Sequence, residues 1–98
     1  MVSNRELETP INEFQQLMAI TAEECSELTQ VCMKLMRKYD SLDNAAKDKY
    51  ISLIIEEAGD VLCMLKLMCE HGLFEWDEIY ARADVKKEKL KQWSTLVE

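Results

Sequence analysis

Apolar residues recur at three- and four-residue intervals along most of the chain, which is the spacing of an amphipathic α-helix. In the first such segment Thr9 suits an N-cap, Pro10 suits the first helical position, and Arg37 and Lys38 suit the last turn. We therefore predict a first helix from Pro10 to about Lys38, with residues 1–8 frayed before it. Thr21, a weaker helix former, is where a kink or break is expected.

Two further helices follow from the same pattern. Residues 40–44 are rich in side chains that cap and turn, so they predict the connection to a second helix over residues 45–70. Apolar residues cover most of the circumference of this second helix, which predicts that it is central in its domain or buried in an oligomer. Gly72 is the predicted C-cap of this second helix. A last helix is predicted to begin within residues 74–77 and to end near Trp93.

The composition agrees with an all-α chain. Only two Gly and one Pro occur among 98 residues, and 48% of the residues are hydrophobic. We predict a single domain over residues 1–98, an all-α helical bundle of three to four helices. So few helices cannot cover the second one, so we expect homo-oligomerisation, as a dimer or tetramer, to complete the bundle. Gly59 lies in the middle of that helix, where close helix packing is one reason for it and neutral drift is the other.

Charge and cysteine content restrict the partners and the compartment. The formal net charge of −7 disfavours nucleic acid as a partner, because its phosphates would be repelled. The start of the sequence has no apolar core of the signal-peptide kind, and the longest apolar run, residues 61–69, contains a lysine and is too short to span a membrane. The four cysteines form no Cys-x-x-Cys pair and suit small buried positions, so we expect free thiols in a cytoplasmic, reducing compartment.

Two acidic clusters interrupt the apolar stripes of the two long helices. The first occupies residues 23–27 and the second occupies residues 56–60. In helical projection Glu24 and Glu57 share the stripes of core-facing apolar residues, and the last acid of each cluster lies at the edge of its stripe. Carboxylates in such positions are unfavourable unless a positive charge compensates them. A divalent cation would provide that charge.

The two helices, lying side by side, would bring four carboxylates into one metal site: Glu24, Glu27, Glu57 and Asp60. Four hard oxygen donors without a thiolate or imidazole favour Mg²⁺ or Mn²⁺ over Zn²⁺ or Cu²⁺. One Glu-x-x-Glu pair on a solvated face is common by chance in a chain with 19 acidic residues. Two clusters on the apolar stripes of separate helices are much less expected by chance.

The motif E-E-x-x-E at residues 23–27, followed by E-x-x-D at residues 57–60, resembles the signature of the MazG-like, all-α nucleoside triphosphate pyrophosphohydrolases. The sequence Gly-Asp-Val-Leu at residues 59–62, which opens a long apolar helix closing at His-Gly-Leu over residues 71–73, is also similar to that family. The resemblance covers about residues 15–93, and the short chain is similar to single-domain members, including those carried by phages.

The resemblance implies hydrolysis of the α–β bond of (deoxy)nucleoside triphosphates to the monophosphate and pyrophosphate, with Mg²⁺. Carried over residue by residue, it implies four metal ligands: Glu24, Glu27, Glu57 and Asp60. It further implies that Glu23 orients or deprotonates the attacking water. Glu56 stands at the equivalent place in the second cluster, but the motif does not require it.

The sequence departs from the family pattern at two places. The separation between Glu27 and Glu57 is at the long end for the family, and a longer connection would absorb it. The last helix of the family commonly supplies Lys, Asn and Arg toward the triphosphate; here Lys86 and Lys89 are the candidates for binding phosphate, and no Asn follows Asn44. The alternative for Lys86 is that its alkyl chain covers apolar surface.

Several functions remain open at this point. Dimeric dUTPase-like and phosphoribosyl-ATP pyrophosphatase-like enzymes share the same carboxylate chemistry and differ in the base pocket. The residues with rings that could stack on a base also suit a buried core: Phe14, Trp76, Tyr80 and Trp93. The alternative from another class is a non-catalytic helical interaction module with an acidic face and an apolar helix for binding a partner.

Overall fold

The computed structural model describes residues 11–98 of the chain. Three α-helices follow one another: α1, Glu13–Lys38; α2, Asn44–Glu70; and α3, Trp76–Trp93, with a short 3₁₀ helix, Tyr39–Ser41, between α1 and α2. No strand occurs in this part of the chain, so the predicted all-α class is confirmed. None of these helices combines the length and the apolar character that crossing a membrane requires.

α1 begins at Glu13, three residues after the predicted start at Pro10, so that prediction was wrong. Its N-cap is Asn12, whose side chain accepts a hydrogen bond from the backbone N–H of Gln15 (2.8 Å), while the Gln15 side chain accepts one from the backbone N–H of Asn12 (3.0 Å). This reciprocal capping box satisfies two backbone donors and stabilises the start there. The described residues do not include Thr9 and Pro10, nor residues 1–8, which were predicted to be frayed.

The expected kink or break near Thr21 does not occur: α1 continues without interruption to Lys38. The Thr21 hydroxyl donates a hydrogen bond to the backbone carbonyl of Leu17 at 2.6 Å. A threonine that bonds one turn back in this way is accommodated inside a helix.

The connection to α2 and the end of α2 follow the predicted residues closely. The Asp43 carboxylate accepts a hydrogen bond from the backbone N–H of Ala46 at 2.8 Å, so it caps the first turn of α2. At the other end Gly72 has φ of 81°, its N–H donates to the Cys69 carbonyl, and the Leu73 N–H donates to the Met68 carbonyl. These two bonds form a Schellman motif, and they confirm Gly72 as the residue that ends α2.

The chain divides into two compact units, Met1–Leu67 and Met68–Glu98. Within the first, α1 and α2 are joined by five residues, and Glu24 and Glu57 stand at nearly equal distances from that connection along their helices. These two side chains meet in one group, so the helices form an antiparallel hairpin. Leu17 on α1 and Met64 on α2 are at a second common level and are the described hydrophobic side chains that are buried, with 5% and 7% of their surface exposed.

The rest of the hairpin is less buried than its sequence predicts. Cys25, Cys32 and Cys63 are exposed, so the prediction of buried thiols was wrong for them, although all four thiols are free as predicted. In helical projection Cys25 and Cys32 lie roughly a quarter turn from the buried Leu17 on α1. A Cβ atom added to Gly59 would have nothing within 4 Å, so no close helix packing explains this glycine within the described chain.

The second unit contains the end of α2 and the whole of α3. Glu75 precedes α3, and its backbone N–H donates to the Glu78 carboxylate at 3.0 Å, which fixes the first turn. Trp76 lies between two other rings, with centroids 5.7 Å from Phe74 and 5.9 Å from Tyr80. The aromatic residues considered for the core are not buried: Tyr80 and Trp93 are 65% and 81% exposed, and Trp76 is half-buried.

Candidate metal centre

The structure brings four carboxylates of α1 and α2 into one group: Glu24, Glu27, Glu57 and Asp60. One oxygen atom of each carboxylate lies within 4.8 Å of one oxygen atom of every other. The three glutamates are half-buried and Asp60 is exposed, so the group opens to solvent on one side. These four residues are those that the two sequence motifs named as metal ligands.

Helix geometry explains why the four carboxylates meet. Each helix contributes two acids three residues apart, which places them about one turn apart on the same side of the helix. The antiparallel hairpin then sets the Glu24 level of α1 beside the Glu57 level of α2. The apolar residues Leu28 and Val61 flank the acids on the same stripes and are also half-buried.

The environment opposes negative charge on the two central acids. Partial burial raises the pKa of Glu24 above its usual value, and repulsion from Glu27, Asp60 and Glu57 together with a hydrogen bond to Glu27 raises it further. Partial burial likewise raises the pKa of Glu57, followed by a hydrogen bond to the Glu27 carboxyl and by repulsion from the neighbouring acids. Both groups therefore hold a proton more firmly than an isolated glutamate does.

Two oxygen atoms of the group have no hydrogen-bond partner. One carboxylate oxygen of Glu24 and one of Glu57 are enclosed, and neither accepts a hydrogen bond. Enclosed polar atoms are normally satisfied by protein, water or an ion, and a bare carboxylate oxygen is unfavourable there. These are the two residues whose pKa values are raised, so the least satisfied atoms are also those where negative charge is least favourable.

The donor chemistry of the group fits a hard divalent cation. All four ligating atoms are carboxylate oxygens, the donor type that Mg²⁺ and Mn²⁺ prefer, and neither imidazole nor thiolate belongs to the group. Cations of this kind retain several waters, which suits a group that opens to solvent through Asp60. The residues present could therefore hold Mg²⁺ or Mn²⁺.

The other predicted site residues lie outside the four-carboxylate group. Glu23 is half-buried on α1, and Glu56 is exposed on α2. Lys86 and Lys89 are exposed on α3, so the alternative in which Lys86 covers apolar surface receives no support from its burial. Among residues 11–98, the group contains no acid, cysteine or histidine besides the four carboxylates that were predicted from the sequence.

Comparison with known proteins identifies no relative: no family model matches the chain, no curated protein is significantly similar in sequence, and no solved structure matches its fold.

Proposed function

We propose that this protein is a Mg²⁺-dependent nucleoside triphosphate pyrophosphohydrolase of the MazG-like kind. The observation that supports the proposal is the group of four carboxylates within 4.8 Å, two of which carry an enclosed oxygen without a partner. These residues occupy the positions at which the E-E-x-x-E and E-x-x-D motifs of that family have their metal ligands.

The reaction is hydrolysis of the bond between the α- and β-phosphates, with attack of water at the α-phosphorus and release of the monophosphate and pyrophosphate. Bound Mg²⁺ or Mn²⁺ supplies positive charge that neutralises the phosphates and makes water more acidic. The protein's own contribution is to position the reactants and neutralise charge, which suffices for much of the catalysis of phosphoryl transfer.

Each residue then has a separate task. The four carboxylates of the group hold the cation and fix its place on the hairpin. Glu23, one position before Glu24 on α1, orients the attacking water and accepts its proton. For Lys86 and Lys89, which are exposed on α3, phosphate binding is the role that the resemblance implies.

The experiment is a panel of canonical and modified nucleoside triphosphates, with Mg²⁺ or Mn²⁺, followed by detection of pyrophosphate. We expect pyrophosphate release by the wild type and its loss in Glu57→Gln or Asp60→Asn, while both variants stay folded. Glu56→Gln is the matched control, since it makes the same change one position away on an exposed side chain. Normal turnover by Glu57→Gln would refute the assignment of the site.

The same panel separates the neighbouring activities on this type of fold. Exclusive turnover of dUTP would identify a dUTPase-like enzyme, and turnover of phosphoribosyl-ATP would identify a phosphoribosyl-ATP pyrophosphatase-like one. A non-catalytic helical interaction module is the second candidate, because large apolar side chains such as Ile55 and Met36 are 67% and 65% exposed. No turnover of any nucleotide, together with no effect of metal on stability, would favour the module.

The proposed setting is that of a cytoplasmic enzyme acting on a free nucleotide. The four free thiols suit a reducing compartment, and the net charge of −7 disfavours nucleic acid as a partner. A homo-dimer or homo-tetramer completes the proposal, because the three helices leave the large apolar side chains of Ile51, Ile55 and Leu62 on α2 exposed.

A further inference from the structure

We propose that one exposed side of α3 is a docking site for an acidic segment of another protein. Four exposed residues form this site, the α3 stripe: Arg82, Lys86, Lys89 and Trp93. The inference does not rest on the proposed enzymatic activity, in which Arg82 and Trp93 have no task.

Helical geometry aligns the α3 stripe along one side of the helix. Its members are separated by four, three and four residues, so they fall within an arc of about 60°. The centre of this arc is roughly a fifth of a turn from the half-buried residues Ile79 and Leu90, which lie on the packed side of α3. At 1.5 Å per residue the stripe extends about 16 Å from Arg82 to Trp93.

Positive and negative charges are separated around α3. Asp77, Asp84 and Glu88 fall within about 40° of one another, and their centre is about 150° from that of the stripe. Within residues 11–98, the salt bridge of α3 joins Lys91 to Glu88 at 2.9 Å, and the three cations of the stripe form none. Glu78, at the edge of the stripe, accepts a backbone hydrogen bond in the first turn at 3.0 Å. The stripe therefore presents three positive charges without a negative partner in the described chain.

An aromatic side chain ends this row of cations. Trp93 is 81% exposed, and Leu96, three residues later, is 82% exposed. Tryptophan and arginine are the residues most enriched among those that dominate the binding energy of protein interfaces. A row of cations followed by a tryptophan is complementary to a row of carboxylates followed by an apolar pocket, which can enclose the ring.

The narrow stripe and the acidic chain together favour a single acidic segment as the occupant. A membrane or a nucleic acid duplex is a broad anionic surface, which the net charge of −7 would repel. One helix or one extended segment is narrow enough to contact the stripe alone. Attraction between exposed charges extends only about 8–10 Å at physiological salt, so the three cations act on a segment that lies directly against them.

The first test measures binding of a labelled synthetic peptide by fluorescence anisotropy. The probe is a helical peptide of about 20 residues, with glutamates spaced four and three residues apart and a leucine after them. It is titrated with the full chain at physiological ionic strength, with a chelator and without nucleotide. We expect wild type to bind it, and to bind a peptide with glutamine in place of glutamate at least about tenfold more weakly. No binding of the glutamate peptide would overturn the proposal.

Matched variants test whether binding takes place at the stripe. Arg82→Gln should weaken binding about threefold to fivefold, and Trp93→Ala should weaken it at least about tenfold. Lys87→Gln is the control: it changes the net charge equally, but Lys87 is exposed about 140° around the helix from Arg82. We expect less than about a twofold effect from this control. Equal effects of Arg82→Gln and Lys87→Gln would indicate unspecific attraction and would overturn the proposal.

Acrylamide quenching of tryptophan fluorescence shows whether wild type covers the stripe, without relying on a charge variant. The chain has two tryptophans, and Trp76 is half-buried whereas Trp93 is 81% exposed. The glutamate peptide should reduce quenching in wild type and leave quenching of Trp93→Phe unchanged. Unchanged quenching in wild type, at a peptide concentration that saturates the anisotropy, would place the peptide elsewhere and refute the proposal.

Lipid vesicles test the competing class of partner. Vesicles of phosphatidylcholine with about one quarter phosphatidylserine present a negative surface of the kind that attracts basic segments. We expect the full chain to remain in solution when these vesicles are sedimented. Cosedimentation that is lost in Trp93→Ala would assign the stripe to a lipid surface instead of a protein and would overturn the proposal.

Discussion

Glu24 and Glu57 are the residues at which the sequence is least compatible with an ordinary helical core. A simple amphipathic helix would have an apolar residue at each of these two positions. Here each position has a carboxylate, and one oxygen of each carboxylate is enclosed and has no hydrogen-bond partner. The raised pKa values of both groups express the same conflict, because partial burial and neighbouring acids oppose ionisation. Residues that reduce stability in this way are typical of functional sites, where binding of a ligand compensates the loss.

The raised pKa values predict how the stability of the metal-free protein depends on pH. Between the ordinary glutamate value of 4.5 and the raised values of Glu24 and Glu57, the folded state binds more protons than the unfolded state. The stability that these two groups contribute is therefore fully present below 4.5 and is lost as the pH rises through their raised values. With a chelator present, we expect the free energy of unfolding to decline over this window.

The contribution of Glu57 to that decline can be isolated by urea titrations at a series of pH values. Glu57→Gln should show a smaller decline, since the amide does not ionise, whereas Glu56→Gln should retain most of it. An identical dependence on pH in wild type and Glu57→Gln would show that the environment of Glu57 does not oppose its charge.

At the scale of the element, capping residues beside the helices decide where each helix begins and ends. Asn12, Asp43 and Gly72 each make the backbone contact expected of a cap, and they lie next to or within two residues of a helix end. Thr9 and Pro10 are an equally reasonable start by sequence alone. The reciprocal bonds between Asn12 and Gln15 explain why the helix starts at Glu13 instead, because two donors are satisfied there.

The two glycines provide a matched pair for testing this local control. Gly72 has φ of 81°, so Gly72→Ala forces a side chain into a left-handed conformation and should reduce stability by about 1–2 kcal/mol. Gly59 lies inside α2 with open space around it, so Gly59→Ala should increase stability by up to about 1 kcal/mol. Urea denaturation of the two variants measures both effects. A destabilising Gly59→Ala would mean that another helix packs closely against this position in solution.

At the scale of the whole molecule, the hairpin gathers negative charge in one place in a chain that is already acidic. Four carboxylates within 4.8 Å add local repulsion to a net charge of −7. A cation that binds the folded chain and not the unfolded one would relieve this repulsion and stabilise the fold by mass action.

Thermal melts with and without Mg²⁺ or Mn²⁺ test that coupling. At a metal concentration ten times Kd the folded state gains about 1.4 kcal/mol, which raises Tm by about 6–10 °C in a chain of this size. Glu57→Gln should lose most of the shift, and an equal ionic strength of NaCl should not reproduce it. The absence of any shift at millimolar metal would argue against the metal centre and favour the interaction module.

Much of the local structure could be predicted from the sequence because it depends on neighbouring residues. The three helices, the turn at residues 40–44 and the role of Gly72 follow from spacing and capping chemistry within a few positions. The two acids on each long helix are also three residues apart, so the sequence predicts that they lie on the same side of that helix. Burial was predicted less well: Cys25 and Cys32 were expected inside and are exposed. Whether an apolar residue is covered depends on what packs against it, which spacing along one helix does not specify.

The amino-acid sequence by itself determined the all-α class and the pairing of acids on each long helix, since both depend on contacts within about one turn. Only the tertiary structure decided that Glu24 and Glu27 meet Glu57 and Asp60, because this requires an antiparallel hairpin in which both pairs stand at the same level. It also decided that Leu17 and Met64 are buried while Ile55 is exposed. Such distinctions arise from the finite number of helices in one chain, which cover one side of α2 and leave another side accessible.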